Sequence, residues 1–495
     1  MGNNDVPIMQ SCIPLPIDDK QLLEVIEKAK DWAIMHGAAM RSKTDFNPDA
    51  LQFAPFILTP SSFPRKEYEK AVNLQVTLNE LMHAVAHDTE FLRETLKSTI
   101  KVDTFTGSLF EIYETTLKEG ISQPFSLGLL RSDLMLESRC ENEIKVRCSQ
   151  ASAYCCWKQV EINSIASGFG HLGPASRALQ SYILRELGHG DKLVDLPANH
   201  ALSGLCDAMV EAWKLQNRPH AIILFVIEDM TYNICDQRFH EFYIRETYPH
   251  IQVIRRSLTE IYEQGRLGPG GELLLGDLEA SVIYFRAGYE PGHYHGSNEW
   301  SARLLMERSK AIKCPSIHYH LAGTKKVQQA LAKPGILKRF INDEQKIHSI
   351  SEIFTGLYSL DKHEHGEEAI KLALKNPERY VLKPQREGGG NNVYGEDIPA
   401  ALEKMSEEER SAWILMERIF PPLSKGYMIR PGGKMPPEIV SLVSELGIFG
   451  AIIGTKEEII YNKQVGHMLR TKLSSANEGG VAAGLGALDS PYLID

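Results

Sequence analysis

The sequence predicts a mixed α/β protein, and three features predict it. Apolar residues at helical spacing dominate the first third. In the middle, two apolar strands flank a helical stretch, the pattern of a parallel sheet covered on both faces. The last third turns to strands bounded by glycine clusters, as in an antiparallel sheet.

At about 150 residues per domain, 495 residues make roughly three structural units. A hydrophobic fraction of 43% and a charged fraction of 24% exclude a disordered, collagen-like or disulfide-stapled chain. The net charge of −10 excludes a global basic footprint for nucleic acid and leaves room for local basic pockets. The first ten residues lack a signal-peptide pattern, and Val6 stands where a myristoylation motif needs Ser or Thr. The longest apolar run, residues 221–227, is strand length and too short to span a membrane. A cytoplasmic location without membrane contact is expected. The eight cysteines form no Cys-x-x-Cys pair and are expected as reduced thiols. The cluster Cys140, Cys148, Cys155 and Cys156 lacks zinc spacing. The pairs His293/His295, His318/His320 and His363/His365 would share a face on a strand, but lacking companion ligands they read as surface or polar-core histidines.

Along the chain, residues 21–36 form a helix through Leu22, Leu23, Ile26, Ala29 and Ala33, with Gly37 as its stop. Residues 65–100 carry two more helical patterns, and residues 157–163 alternate as a strand. In the middle unit, strands at 221–227 and 251–255 flank a helix at 236–248. A glycine-rich turn region at 265–276, a strand at 281–286 and a helix at 300–314 complete it. In the last third, a strand at 380–384 leads into the glycines at 388–390, strands at 413–417, 439–453 and 459–472 read as an antiparallel sheet, and a second glycine-rich stretch runs over 479–486.

The densest chemistry lies in Lys383-Pro-Gln-Arg-Glu387-Gly388-Gly389-Gly390-Asn391-Asn392-Val-Tyr394. Successive glycines let backbone N–H groups approach an anion, a lysine at a strand end supplies a charge for phosphate, and a carboxylate beside them can hold a divalent metal. The alternative is a plain hairpin loop; the pattern is neither Walker nor Rossmann. Glu161 and Asn163 lie two apart on a strand and so share a face, presenting oxygens that suit Mg²⁺. Arg286-Ala-Gly-Tyr289, Gly323-Thr-Lys325-Lys326 and Arg470-Thr-Lys472 place cations beside turns, with Arg forks for carboxylates and Lys for phosphates. No Gly-x-Ser-x-Gly or other nucleophile signature occurs. These residue types point to an ATP- and Mg²⁺-dependent enzyme acting on carboxylates.

From about Gln21 to Tyr492 the chain resembles the eukaryotic glutathione synthetases, which are ATP-grasp ligases. The resemblance is carried by residues 382–392, Leu321-Ala-Gly-Thr-Lys-Lys-Val-Gln-Gln329, Ser444-Glu-Leu-Gly-Ile-Phe-Gly450 and Val465-Gly-His-Met-Leu-Arg-Thr-Lys472. It implies an ATP-grasp fold of antiparallel sheets with a helical N-terminal region. Residues 1–217 and 323–495 would form the main body around an inserted α/β substrate-binding unit at 218–322. The implied reaction joins γ-glutamylcysteine to glycine through an acyl phosphate, releasing ADP and phosphate. The resemblance makes Glu161, Asn163 and Glu387 the Mg²⁺ ligands, and Arg470, Lys383 and Glu387 the catalytic residues. ATP would be held by Glu161, Lys325, Lys383, residues Glu387, Gly388, Gly389, Gly390, Asn391, Asn392 and Tyr394, the adenine-bordering Met416, Glu417, Arg418 and Ile419, and by Glu445, Lys472 and Glu478. The substrate set would be Arg131, Ile165, Ala166, Ser167, Gly168, Thr231, Tyr232, Asn233, Gln237, Arg286, Ala287, Gly288, Tyr289, Arg470, Val481 and Ala482. A homodimer is implied too. The departures are a longer, Cys-rich stretch at 137–157, displaced serines at 165–168, and Glu478 where the family has Asp. A ligase with another acceptor (β-alanine, serine or a polyamine) and a silent homologue serving as a binding subunit are the rival readings.

Overall fold

The computed structural model describes residues 6–139, 154–386, 390–477, 481 and 486–495. Its centre is a seven-stranded sheet in the order Ser424–Ile429, Phe56–Ile57, Gly486–Asp489, Ile459–Leu473, Ile439–Gly454, Ser126–Glu137, Cys156–Asn163. All neighbours run antiparallel except Gly486–Asp489 beside Phe56–Ile57.

Side-chain alternation assigns each long strand two faces. Leu446, Ile448 and Ile452, with Leu130 and Leu134, share one core with helix Arg65–Ala86. Phe449, Ala451 and Ile453, with Leu127 and Leu129, face the opposite core, which includes helix Ala201–Leu215. Further along that second face the apolar residues give way to Arg131, Asp133 and Glu445. One surface of one sheet therefore runs from hydrophobic core into a polar cleft.

The middle of the chain builds a second, six-stranded sheet. Val253–Ser257, Ile222–Ile227, Leu278–Phe285 and Ile312–Cys314 are parallel, as the βαβ pattern predicts. Helix Ile234–Thr247 joins two of them. The region at 265–276 is not merely turn: Gly265–Leu267 and Leu273–Leu275 pair as an antiparallel extension. The helix expected to reach Cys314 ends at Arg308, and Ile312–Cys314 is a strand, because Ile312 and Cys314 fill the core shared with helix Ala201–Leu215.

The strands of the last third belong to two sheets rather than one. Trp413–Glu417 and Tyr380–Pro384 form a small four-stranded sheet with Leu357–Ser359 and Val393–Tyr394. Helices Glu364–Lys375 and Asp397–Lys404 cover it with Ala369, Ile370, Ile398 and Leu402. Cys155 is disulfide-bonded, which corrects the expectation of reduced thiols for that residue. Cys12, Cys206, Cys235 and Cys314 are free. None of the three His-x-His pairs lies on a strand: His318 and His320 sit in helix Ile317–Ala322, and the others in turns or at helix starts.

His318 joins His83 and His87 in a buried cluster, with ring centroids 4.3 Å apart for His83 and His87 and 5.0 Å apart for His87 and His318. His83 is held by the Tyr319 hydroxyl at 2.5 Å and the Thr455 carbonyl at 2.7 Å, so it fits as a neutral ring. Burial, aided by His87, lowers His83 from 6.5 to about 4. The folded value lies below the unfolded one, so between them the unfolded chain binds more protons and stability rises with pH. The melting temperature is expected to fall as pH drops from 6.5 towards 4, and less steeply for His83→Gln. Identical slopes in wild type and variant would exclude His83 as a source.

Candidate active site

The polar end of the seven-stranded sheet is a row of charges set by strand register. Asp133 lies opposite Glu161, Arg131 opposite Asn163, and Glu445 opposite Arg470. Between the last pair and Asp133 stands Gly447, directly opposite Asp133. A Cβ there would meet Asp133 Oδ1 at 2.9 Å and Arg131 Cδ at 3.0 Å, so glycine leaves the space that this pair fills.

The charges are tightly bonded. Asp133, fully buried, accepts from Arg131 Nε at 2.6 Å and Nη2 at 2.7 Å, a bidentate fork. Asn163 Nδ2 donates to Asp133 at 3.0 Å and to Glu161 at 3.3 Å. Lys325 Nζ donates to Glu161 at 2.7 Å, and Arg470 Nη2 to Glu445 at 2.6 Å. Burial pushes the Glu161 carboxyl up, but Lys325 and Lys383 outweigh it and hold it well below the usual carboxylate range. Glu445 is lowered too, because Arg470 outweighs its burial.

These groups line a cleft of about 710 Å³ walled by the seven-stranded, four-stranded and parallel sheets. The seven-stranded sheet supplies Arg131, Glu161, Asn163, Glu445, Arg470 and Lys472. The four-stranded sheet and its loops supply Lys383, Asn391, Asn392, Tyr394, Met416, Glu417, Arg418 and Ile419. Lys325 enters from the start of helix Lys325–Leu331. Towards the parallel sheet the lining continues through Ile165, Ala166, Gly168, Tyr232, Asn233, Ala287, Tyr289 and Val481. The cleft is large enough for more than one small ligand.

Other expected site residues sit behind this wall. Ser167 donates to the Leu129 carbonyl at 3.0 Å. Thr231 and Gln237 are held by Arg255 at 3.4 and 2.9 Å. Arg286 is buried, with Nη2 3.1 Å from Asp236 and Nη1 3.3 Å from the Tyr284 hydroxyl. Gly288 shapes the same turn with φ 91°. Gly390 precedes the lining residues Asn391 and Asn392. Glu387, Gly388, Gly389, Glu478 and Ala482, and with them the Cys-rich stretch from Cys140 through Cys148, lie outside the described residues.

Sequence reasoning named Glu445, which holds Arg470, but missed Asp133 and Asp236, which hold Arg131 and Arg286. Asp133 was detectable as the third residue of Arg131-Ser-Asp133, which shares a face with Arg131 once the strand is assigned. Asp236 had no such signal. It accepts from the backbone N–H groups of Phe169, His171 and Leu172 at 2.9, 3.0 and 3.2 Å, at the start of helix Leu172–Glu186, a contact between segments more than sixty residues apart. Those bonds and Arg286 overcome burial and hold its carboxyl at about 2. Arg386, beside the glycine loop, is tied to Asp103 at 2.5 Å and also lines the cleft.

The family model described as eukaryotic glutathione synthase, ATP binding domain, matches residues 19–493. A glutathione synthetase of Xenopus laevis is 41% identical over 480 residues, covering 96% of this chain and 98% of that one. The human glutathione synthetase is 41% identical with the same coverage. A chloroplastic glutathione synthetase of Solanum lycopersicum is 40% identical, covering 97% of this chain and 86% of that one. The apo structure of a glutathione synthetase-like effector from Globodera pallida shares the fold, with TM-score 0.76 over 98% of this chain and 100% of that one at 24% identity.

Asp236→Ala would strand the buried Arg286 and uncap helix Leu172–Glu186, and is expected to cost about 3–5 kcal/mol of stability. Chemical denaturation measures it, and a loss below about 1 kcal/mol would show that the pair is dispensable.

Proposed function

The chain belongs to the eukaryotic glutathione synthetase family, and we propose that it forms glutathione by joining γ-glutamylcysteine to glycine at the cost of ATP. The observation that carries this reading is the convergence of Glu161, Asn163, Lys325, Lys383, Glu445, Arg470 and Lys472 in one cleft, from segments on both sides of the 218–322 unit. This is the arrangement expected of an ATP-grasp ligase with an inserted unit at 218–322. It also argues against a silent binding subunit, since such a protein has no need to keep these charges together.

The donor set suits Mg²⁺. A hard cation takes oxygen ligands; Glu161 is held ionised, and Asn163 turns its nitrogen towards Asp133 and Glu161, which leaves its oxygen for the metal. Glu387 completes the set from the sequence pattern. When bound, Mg²⁺ would offset negative charge on the ATP phosphates.

The chain's own residues carry the remaining work. Lys325 and Lys383 place point charges at the phosphates. Met416 to Ile419 border the adenine, Glu445 the ribose, and Lys472 and Glu478 the rest of the nucleotide. The dipeptide lies against Arg131, residues 165–168, 231–233 and Gln237, and the 286–289 turn. Its cysteinyl carboxylate attacks the terminal phosphorus of ATP, and the bond to ADP breaks. The glycine amine then attacks the acyl carbon, phosphate leaves with the bonding pair, and the amine gives up its proton. Arg470, together with the lysines, stabilises the charge that develops on the phosphoryl group and the tetrahedral oxyanion. The glycine loops at 387–394 and 479–486 exclude water from the acyl phosphate. A cytoplasmic location and a homodimer of twice the monomer mass by light scattering belong to the same reading.

Three measurements test it. ADP release should require γ-glutamylcysteine and glycine; a preference for β-alanine would move the protein to the rival ligase, and silence with every acceptor would overturn the enzyme reading. Glu387→Gln should lower kcat on the order of 10²-fold with little change in melting temperature, as loss of one preorganised charge does; unchanged turnover would remove Glu387 from the site. Arg470→Ala should weaken use of the amino-acid substrates by about tenfold or more while ATP binding changes less. Unchanged KM and kcat for both would refute its role.

A further inference from the structure

We infer that Asp133 is a positioning residue for the metal and phosphate end of the cleft, acting through Asn163 and Arg131 without touching a ligand. The inference rests on the reading of Glu161 and Asn163 as Mg²⁺ ligands.

Asp133 does not line the cleft and has no exposed surface. Its two oxygens nonetheless meet three cleft residues: Arg131 at 2.6 and 2.7 Å, Asn163 at 3.0 Å and Arg470 at 3.6 Å. An asparagine amide has an acceptor end and a donor end, and a half-turn exchanges them. Only the oxygen can ligate a hard cation. A carboxylate accepts and cannot donate, so Asp133 admits only the nitrogen of Asn163 and leaves the oxygen outward.

Stability does not account for this carboxylate. It lies directly opposite Glu161, and like charges across a strand pair are unfavourable. A well-packed apolar residue at a buried ionic position is often neutral or stabilising. What Asp133 supplies is orientation: it fixes the Asn163 amide and locks the Arg131 fork, as outer-sphere partners of metal ligands do.

The test is a calorimetric titration of ADP binding against Mg²⁺ concentration on the full-length protein. Asp133→Asn should raise the half-saturating Mg²⁺ by about 10–100-fold, the usual effect of losing such a partner. The exchanged pair Asp133→Asn with Asn163→Asp should recover most of that loss, because a carboxylate at 163 can ligate through either oxygen and accept from the amide at 133. Asp88→Ala, which removes a remote helix cap and the Arg339 partner, should lower the melting temperature and leave the Mg²⁺ requirement unchanged. If Asp133→Asn is too unstable to titrate, Gly447→Ala gives the same reading, since its Cβ would press on the Asp133 carboxylate. A wild-type Mg²⁺ requirement in a folded Asp133→Asn or Gly447→Ala protein, or an exchanged pair no better than Asp133→Asn, would overturn the inference. Mg²⁺-independent ADP binding by the wild type would instead overturn the metal reading, and the inference with it.

Discussion

The charged floor of the cleft depends on two acids that face each other across neighbouring strands. Asp133 and Glu161 are in register on the seven-stranded sheet, one fully buried and the other partly exposed to the cleft. Such a pair is tolerable only when cations are delivered to both. Arg131 and Arg470 come from the same sheet, Lys325 from a helix that follows the parallel unit, and Lys383 from the four-stranded sheet. Charge balance at one point thus requires the seven-stranded sheet, the four-stranded sheet and helix Lys325–Leu331 to come together. A network of this kind is also not divisible: each member is satisfied only while the others are in place.

A second regularity concerns the arginines. Arg131, Arg286 and Arg470 were expected as forks for substrate carboxylates, and each already has a resident carboxylate: Asp133, Asp236 and Glu445. A guanidinium carries five donors, so a resident partner can fix its plane while donors remain for a ligand. Preorganisation of this sort spares the protein the ordering of a long side chain when substrate arrives.

Much of this was legible in the sequence, for reasons that can be located. The parallel unit showed because Ile222–Ile227 is apolar throughout, as a strand buried on both faces must be. Glu161 and Asn163 showed because a period of two needs no tertiary information. The division of the late strands between two sheets did not show, since local alternation says which face a residue takes and not which partner a strand chooses. Strand Ser126–Glu137 did not show because it is buried over nearly its whole length and lacks an apolar–polar period, whereas helix Thr104–Glu119 did carry a helical repeat, in Phe105, Leu109, Ile112 and Tyr113. Asp236 was invisible for a different reason: its role is to hold a distant backbone turn, and no spacing within its own helix reveals that.

The two ends of the cleft are made of different material, and that divides what can change from what cannot. The phosphate end is part of a sheet whose opposite face is core, so replacing a residue there disturbs packing and charge together. The far end, around Tyr232, Asn233, Ala287 and Tyr289, is built from loops at the rim of a separate sheet; Ala287 is buried and Tyr289 packs on that sheet's core, whereas Tyr232 and Asn233 are half-buried and freer to change. On the proposed reading that end meets the dipeptide, so changes there would alter which carboxylate is presented without altering how it is activated. On that reading, recognition of the dipeptide is the part open to change, and the phosphate end is the part held fixed by the core behind it.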